Sequence, residues 1–241
     1  MQANALYAYC GNAPVLYTDT YGLFWLLDQL QEWNENENAK NKLYKISYDQ
    51  YIWTKLVSLN NNNEVRNLIH LRMVMSANKV IANKTIINNV ASEYNVPSSL
   101  IGGIIYKEQL TSILPDFVAN IDTALDGKLI PGSTPTHSTG LGAIFPGTAR
   151  SAWESFSQES KIDLDDKQLQ FKLTSDDDFN IRTIAIVLIY EATNLGLISS
   201  PSEAGNLTID EWKSAVAKYN GSDEYARKVY EYLECIDELL D

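Results

Sequence analysis

Cysteine and histidine are scarce in this chain, with two of each among 241 residues, and the cysteines, Cys10 and Cys235, lie near opposite ends. That scarcity excludes a disulfide framework, and no cluster with metal-ligand spacing is present. The two cysteines pair only if the segments carrying them meet; a buried thiol is the commoner state. Long apolar runs are also missing, so no membrane span is expected. Basic residues are few: Lys and Arg number 19 against 31 Asp and Glu, a net charge of -12, with acidity rising after Gln158. Such a field repels nucleic acid, and no basic stripe offsets it. No phosphate loop, Ser/His/Asp order or internal repeat is found, and no cofactor is implied. The start, MQANALYAYCGNAPVLYTD, has neither a positively charged region nor a continuous apolar core and does not read as a secretory signal. The expected route is synthesis in the cytoplasm and delivery to the periplasm or cell wall by a non-classical path.

What is present is an ordinary globular composition, 45% hydrophobic and 21% charged, with apolar residues at helical spacing. Helices are predicted over about 20–33, 44–59 and 64–94, the last broken near Asn83. Val96-Pro97-Ser98-Ser99 starts another, because proline and hydroxyl residues suit the first turn. From Thr111 to His137 the prolines and glycines predict a loop or short strands. A helix follows Pro146 to about Ser157, Asp163 to Phe179 reads as acidic and less regular, and Asn180 to Leu195 as a buried helix. Thr208 with Glu211 forms a capping box, Gly221 closes that helix, and Ser222 or Asp223 caps the last one. The fold class is mainly α.

Within this frame Glu108 stands out. It follows the apolar run Leu100-Ile101-Gly102-Gly103-Ile104-Ile105-Tyr106. A carboxyl at the last turn of a buried helix meets apolar walls and the negative end of the helix dipole, and both disfavour ionisation. An acid kept protonated is what glycosidic cleavage needs, since the leaving oxygen must receive a proton. Glycines at 102 and 103 weaken a helix unless another element presses on its backbone. Taken alone, the spacing fits a solvated helix-end carboxylate beside Lys107 better. The weighing changes with STGLGAIFPGTAR at 138–150, where glycines at 140 and 142 let backbone groups approach a ligand.

Four blocks stand in order: IIYKE at 104–108, STGLGAIFPGTA at 138–149, FNIRTIAIVLIYEA at 179–192 and KYNG at 218–221. Together they resemble the lysozyme-like superfamily of soluble lytic transglycosylases and goose-type lysozymes, whose pattern is LIxxIIxxE, S-x-GLGQxxPxTA, NI and YN-G. The chain departs from it at Ala143, where the family has a glutamine. The resemblance implies a lysozyme-like α-helical catalytic domain over 96–241, with a small loop or short β region beside the cleft and residues 1–95 as an N-terminal helical extension. It implies a muramidase cleaving the β-1,4 bond between N-acetylmuramic acid and N-acetylglucosamine, with Glu108 as general acid. Asp122 and Asp126 are candidate helpers in the loop. Ser138, Thr139, Gly140, Leu141, Tyr219 and Asn220 are candidate substrate-binding residues, and His137 touches sugar or caps the turn. The expected partners are peptidoglycan glycan strands and, for an antibacterial toxin effector, an immunity or inhibitor protein. Phage lysin and autolysin share the same chemistry. A non-catalytic glycan-binding module and a chitin-directed hydrolase remain as alternatives.

Overall fold

A computed structural model describes residues 42, 43, 46, 63–111, 138–156 and 162–241. The helices are α1 (Asn63–Ala82), α2 (Lys84–Tyr94), α3 (Ser98–Thr111), α4 (Pro146–Phe156), α5 (Asp166–Ser175), α6 (Asp177–Asn194), a 3-10 turn at Pro201–Asn206, α7 (Ile209–Asn220) and α8 (Asp223–Leu240). Among the described residues there is no strand, only an isolated antiparallel bridge between Thr139 and Ile144. The described architecture is therefore mainly α. The helices expected over 20–33 and 44–59, and the loop or strands expected over 112–137, lie outside the described residues.

The chain divides into two compact units, 1–74 and 75–241, and the division falls inside α1. The sequence places a boundary near residue 95, one residue after the end of α2. Helix α2 belongs to the second unit because Ile87 and Val90 are buried there and it packs on α3 and α6. Its Asn88 amide donates to the Leu240 carbonyl at 3.3 Å. Pro97 precedes the start of α3, and its carbonyl accepts from Leu100 at 3.1 Å and Ile101 at 3.4 Å.

Two helices form the middle of this unit. Every residue of α3 from Ser99 to Lys107 is buried, and α6 is buried continuously from Thr183 through Ile189. Helices apolar on all sides are interior elements, and each large side chain so placed contributes about 1.5–3 kcal/mol. α3 packs most extensively against α8, whose Val229, Ile236 and Leu240 approach its glycines. A Cβ at Gly102 would lie 2.7 Å from Ile236 Cγ2, and one at Gly103 3.2 Å from Val229 Cγ1. The glycine pair lets two helix backbones come close, as the sequence suggests.

Side-chain caps open four of the eight described α-helices, α5 to α8. Thr208 and Glu211 form the capping box, Gly221 closes α7 at φ 72, and the Ser222 hydroxyl accepts from the Tyr225 amide at 3.3 Å to open α8. The acidic stretch 163–179, expected to be irregular, is instead helical on both sides of Asp176. Asp165 and Gln168 make a second capping box, and the Asp176 carboxylate caps α6 through the Phe179 amide at 3.0 Å. Aspartates that read as solvated charge are there helix starters. No helix among the described residues is long and apolar enough to cross a membrane.

Candidate active site

Glu108 lies in the last turn of α3, where the helix emerges from the core and the side chain keeps a partial opening to solvent. Burial raises its carboxyl above the usual carboxylate range, while the Tyr225 hydroxyl and the Lys107 ammonium pull it back. Lys107 is itself 8% exposed. Burial pushes its ammonium down to about 8, against the pull of Glu108; Lys228 lowers it further and Glu224 raises it. The carboxyl therefore favours its neutral, proton-carrying form more than an exposed glutamate does.

The turn at 139–144 is fastened to the end of α3 by the next residue. Gln109 Nε2 donates to the carbonyls of Gly140 and Leu141, both at 3.2 Å. Within the turn, Ile144 donates to the Thr139 carbonyl at 3.0 Å and Thr139 to that of Ile144 at 3.2 Å. From α6, Asn180 Oδ1 accepts from the Gly142 amide at 2.9 Å while its Nδ2 donates to the Leu173 carbonyl at 2.9 Å. From α7, the Tyr219 hydroxyl donates to the Gly142 carbonyl at 2.7 Å. Three helices thus hold one short turn. Among the described residues no sheet braces the turn, and side chains that complete its backbone's hydrogen bonding hold it.

The glycines of this turn serve the protein's own packing. A Cβ at Gly140, where φ is 76, would fall 2.1 Å from Asn180 Nδ2; one at Gly142 would fall 2.5 Å from Ile184 Cγ1 and 2.7 Å from the Tyr219 hydroxyl oxygen. The space that a Cβ would take at these two glycines is filled by Asn180, Ile184 and Tyr219, with the Leu173 carbonyl beside Gly140. Ala143, the point of departure from the family pattern, has φ 47. An L-residue in that region costs about 1 kcal/mol or more.

The site is completed from the other end of the unit. Tyr219 and Tyr225 stack with ring centroids 6.4 Å apart and planes 12° from parallel, and both face the charge of Glu108, which with burial raises their phenols. Glu108, the 139–144 turn and Tyr219, far apart in sequence, are therefore neighbours. The other candidates separate by role. Ser138 and Tyr219 are partly exposed and Asn220 is exposed at the end of α7, whereas Thr139, Gly140 and Leu141 are buried. The Thr139 hydroxyl is bonded to that of Thr174 at 2.7 Å, so it supports the turn. Asp122, Asp126 and His137 lie outside the described residues.

Four contributors escape a reading of the site from sequence: Lys107, Gln109, Asn180 and Tyr225. Asn180 carries a signal, an amide just before the long apolar stretch of α6. Tyr225 carries none, because it reads as one more apolar position of α8. Among the described residues, no group of three His, Cys, Asp or Glu is arranged to hold a metal ion. No known protein family, curated protein or solved structure matches the chain.

Proposed function

We propose that the chain is a peptidoglycan-cleaving muramidase that uses Glu108 as general acid on the β-1,4 bond between N-acetylmuramic acid and N-acetylglucosamine. The observation that carries this reading is the neutral-favouring Glu108 carboxyl beside the GLG turn and Tyr219, the elements on which the resemblance to lysozyme-like enzymes rests. In that chemistry Glu108 donates its proton to the glycosidic oxygen as the bond to the anomeric carbon breaks. The carboxylate left behind then takes a proton from the incoming nucleophile. Water, positioned by Asp122 or Asp126, gives a reducing end; the sugar's own 6-hydroxyl gives a 1,6-anhydro end. Mass spectrometry of released muropeptides separates the two, because the anhydro product is lighter by one water. Reducing ends that disappear in Asp122→Asn or Asp126→Asn identify the helper.

Incubation with purified sacculi tests the central assignment. Glu108→Gln keeps the shape of the side chain and removes the proton, so release of muropeptides is expected to fall by roughly 10²–10⁴-fold or more. Near-normal release by this variant sinks the reading. A second reading, a glycan-binding module without catalysis, is favoured by Ala143 in place of the family's glutamine and by the commitment of Thr139 and Tyr219 hydroxyls to protein partners. It expects sedimentation with sacculi and no release by either form. Chitin oligomers test the third substrate class. In the role of an antibacterial effector, the partner would be an immunity protein that covers this site.

A further inference from the structure

Tyr225 has a property shared with no other described residue. Its side chain is 7% exposed, and its hydroxyl is the one buried side-chain polar atom among the described residues that makes no hydrogen bond. A buried donor without a partner is unfavourable and rare, so its retention asks for a state of the protein in which it is satisfied. The carboxyl of Glu108 faces it, close enough for each group to act on the protonation of the other, although not in the geometry of a formed bond.

From this geometry, and resting on the acid role given to Glu108 above, we propose that Tyr225 is a positioning residue whose buried hydroxyl donates a hydrogen bond to the Glu108 carboxylate once that group has lost its proton. While Glu108 is neutral its O–H serves the substrate and its carbonyl oxygen is only a weak acceptor for the phenol. When the proton moves to the leaving oxygen, the carboxylate becomes the acceptor that the phenol lacks. A hydrogen bond that is stronger to the charged form stabilises the later state selectively. The phenol keeps the proton it would donate, because burial and the nearby charge of Glu108 both raise it. The position is set by packing. Tyr225 follows the Ser222 cap at the start of α8, and α8 is held against α3 through Gly102 and Gly103.

Among the described residues, the titratable groups facing the Glu108 carboxyl are Lys107 on its own helix, Tyr225 on α8 and Tyr219 on α7; Lys228 and Glu224 of α8 act through Lys107. Helices α2 and α6, also packed on α3, bring no titratable group that acts on it. The phenol's effect is separable from these by a single substitution.

The test is a ¹³C NMR titration of the full chain, with the Glu108 carboxyl resonance assigned by its loss in Glu108→Gln. Tyr225→Phe is expected to raise the Glu108 midpoint by about one pH unit, the shift for one hydrogen bond to a charged group. Deletion of an orphan hydroxyl should leave the melting temperature unchanged or higher, a response that a purely structural role would not combine with a moved midpoint. If the variant does not fold, the wild type decides. The Tyr225 Cζ resonance must then titrate with the Glu108 midpoint and lose that step in Glu108→Gln. An unmoved midpoint in Tyr225→Phe, or a Tyr225 resonance blind to Glu108, overturns the proposal. Failure of wild-type protein to release muropeptides would overturn the muramidase reading instead, and would leave the titration result standing.

Discussion

Burial works against the charge of two neighbouring side chains, Lys107 and Glu108, and the two respond to pH in opposite directions. For Glu108 the folded value is raised. Its contribution to stability is therefore full below the usual glutamate value and is lost as pH rises through the raised one. Glu108→Gln, which never ionises, should unfold at higher denaturant than the wild type at pH 7, with the difference closing near about pH 4. For Lys107 the folded value is lowered to about 8. Its contribution is full above the usual lysine value and is lost as pH falls through about 8. Lys107→Met should then stabilise the protein at pH 7 by about 1–3 kcal/mol, and by less above about pH 10. Urea unfolding across pH reads both, and a Glu108→Gln variant less stable than wild type at pH 7 would contradict the raised value. Under the proposed function, the stability conceded at this carboxyl would be the cost of keeping its proton.

Between elements, the close approaches of glycine make the sharpest expectations. Gly102→Ala puts a methyl 2.7 Å from Ile236 Cγ2 and should cost about 1–3 kcal/mol, with recovery in Gly102→Ala/Ile236→Ala. Asn180→Ala removes the side chain that bonds the Gly142 amide and the Leu173 carbonyl, and should cost about 2–4 kcal/mol while loosening the turn against α3. Thermal melts measure both. Much of this scale is legible in the sequence, because helix ends are local: Thr208 with Glu211, Gly221 and Pro97 announce themselves within a few residues. The stretch 163–179 misleads because Asp165 and Asp176 look like surface charge until their amide partners are seen. Tyr225 and Lys107 are illegible as site residues for a different reason. Their surroundings are made by α3 meeting α8, and no short window of sequence contains that contact. Glu108, the GLG turn and Tyr219 are legible as a set only through the order of four blocks, each weak by itself.

For the whole molecule the boundary of the second unit matters most. A fragment beginning at Asn63 keeps α2, with Ile87 and Val90 in the core and Glu93 paired to Arg182 at 2.5 Å. A fragment beginning at Val96, on the boundary that the sequence suggests, loses these. Two buried aliphatic side chains are worth about 1.5–3 kcal/mol each and the exposed ion pair under about 1 kcal/mol. The shorter fragment should therefore melt well below the longer one by calorimetry; equal melting temperatures would show that α2 adds nothing to the second unit's stability.

The packing of α8 on α3 also sets a timetable for synthesis. A ribosome makes Glu108 and the 139–144 turn long before it makes Tyr219 and Tyr225, and domains settle only when their parts have left the tunnel. Until α8 arrives, the glycine face of α3 lacks its neighbour and the carboxyl lacks its dry surroundings. The Glu108 carboxyl thus acquires its altered proton affinity only after Tyr219 and Tyr225 have been translated.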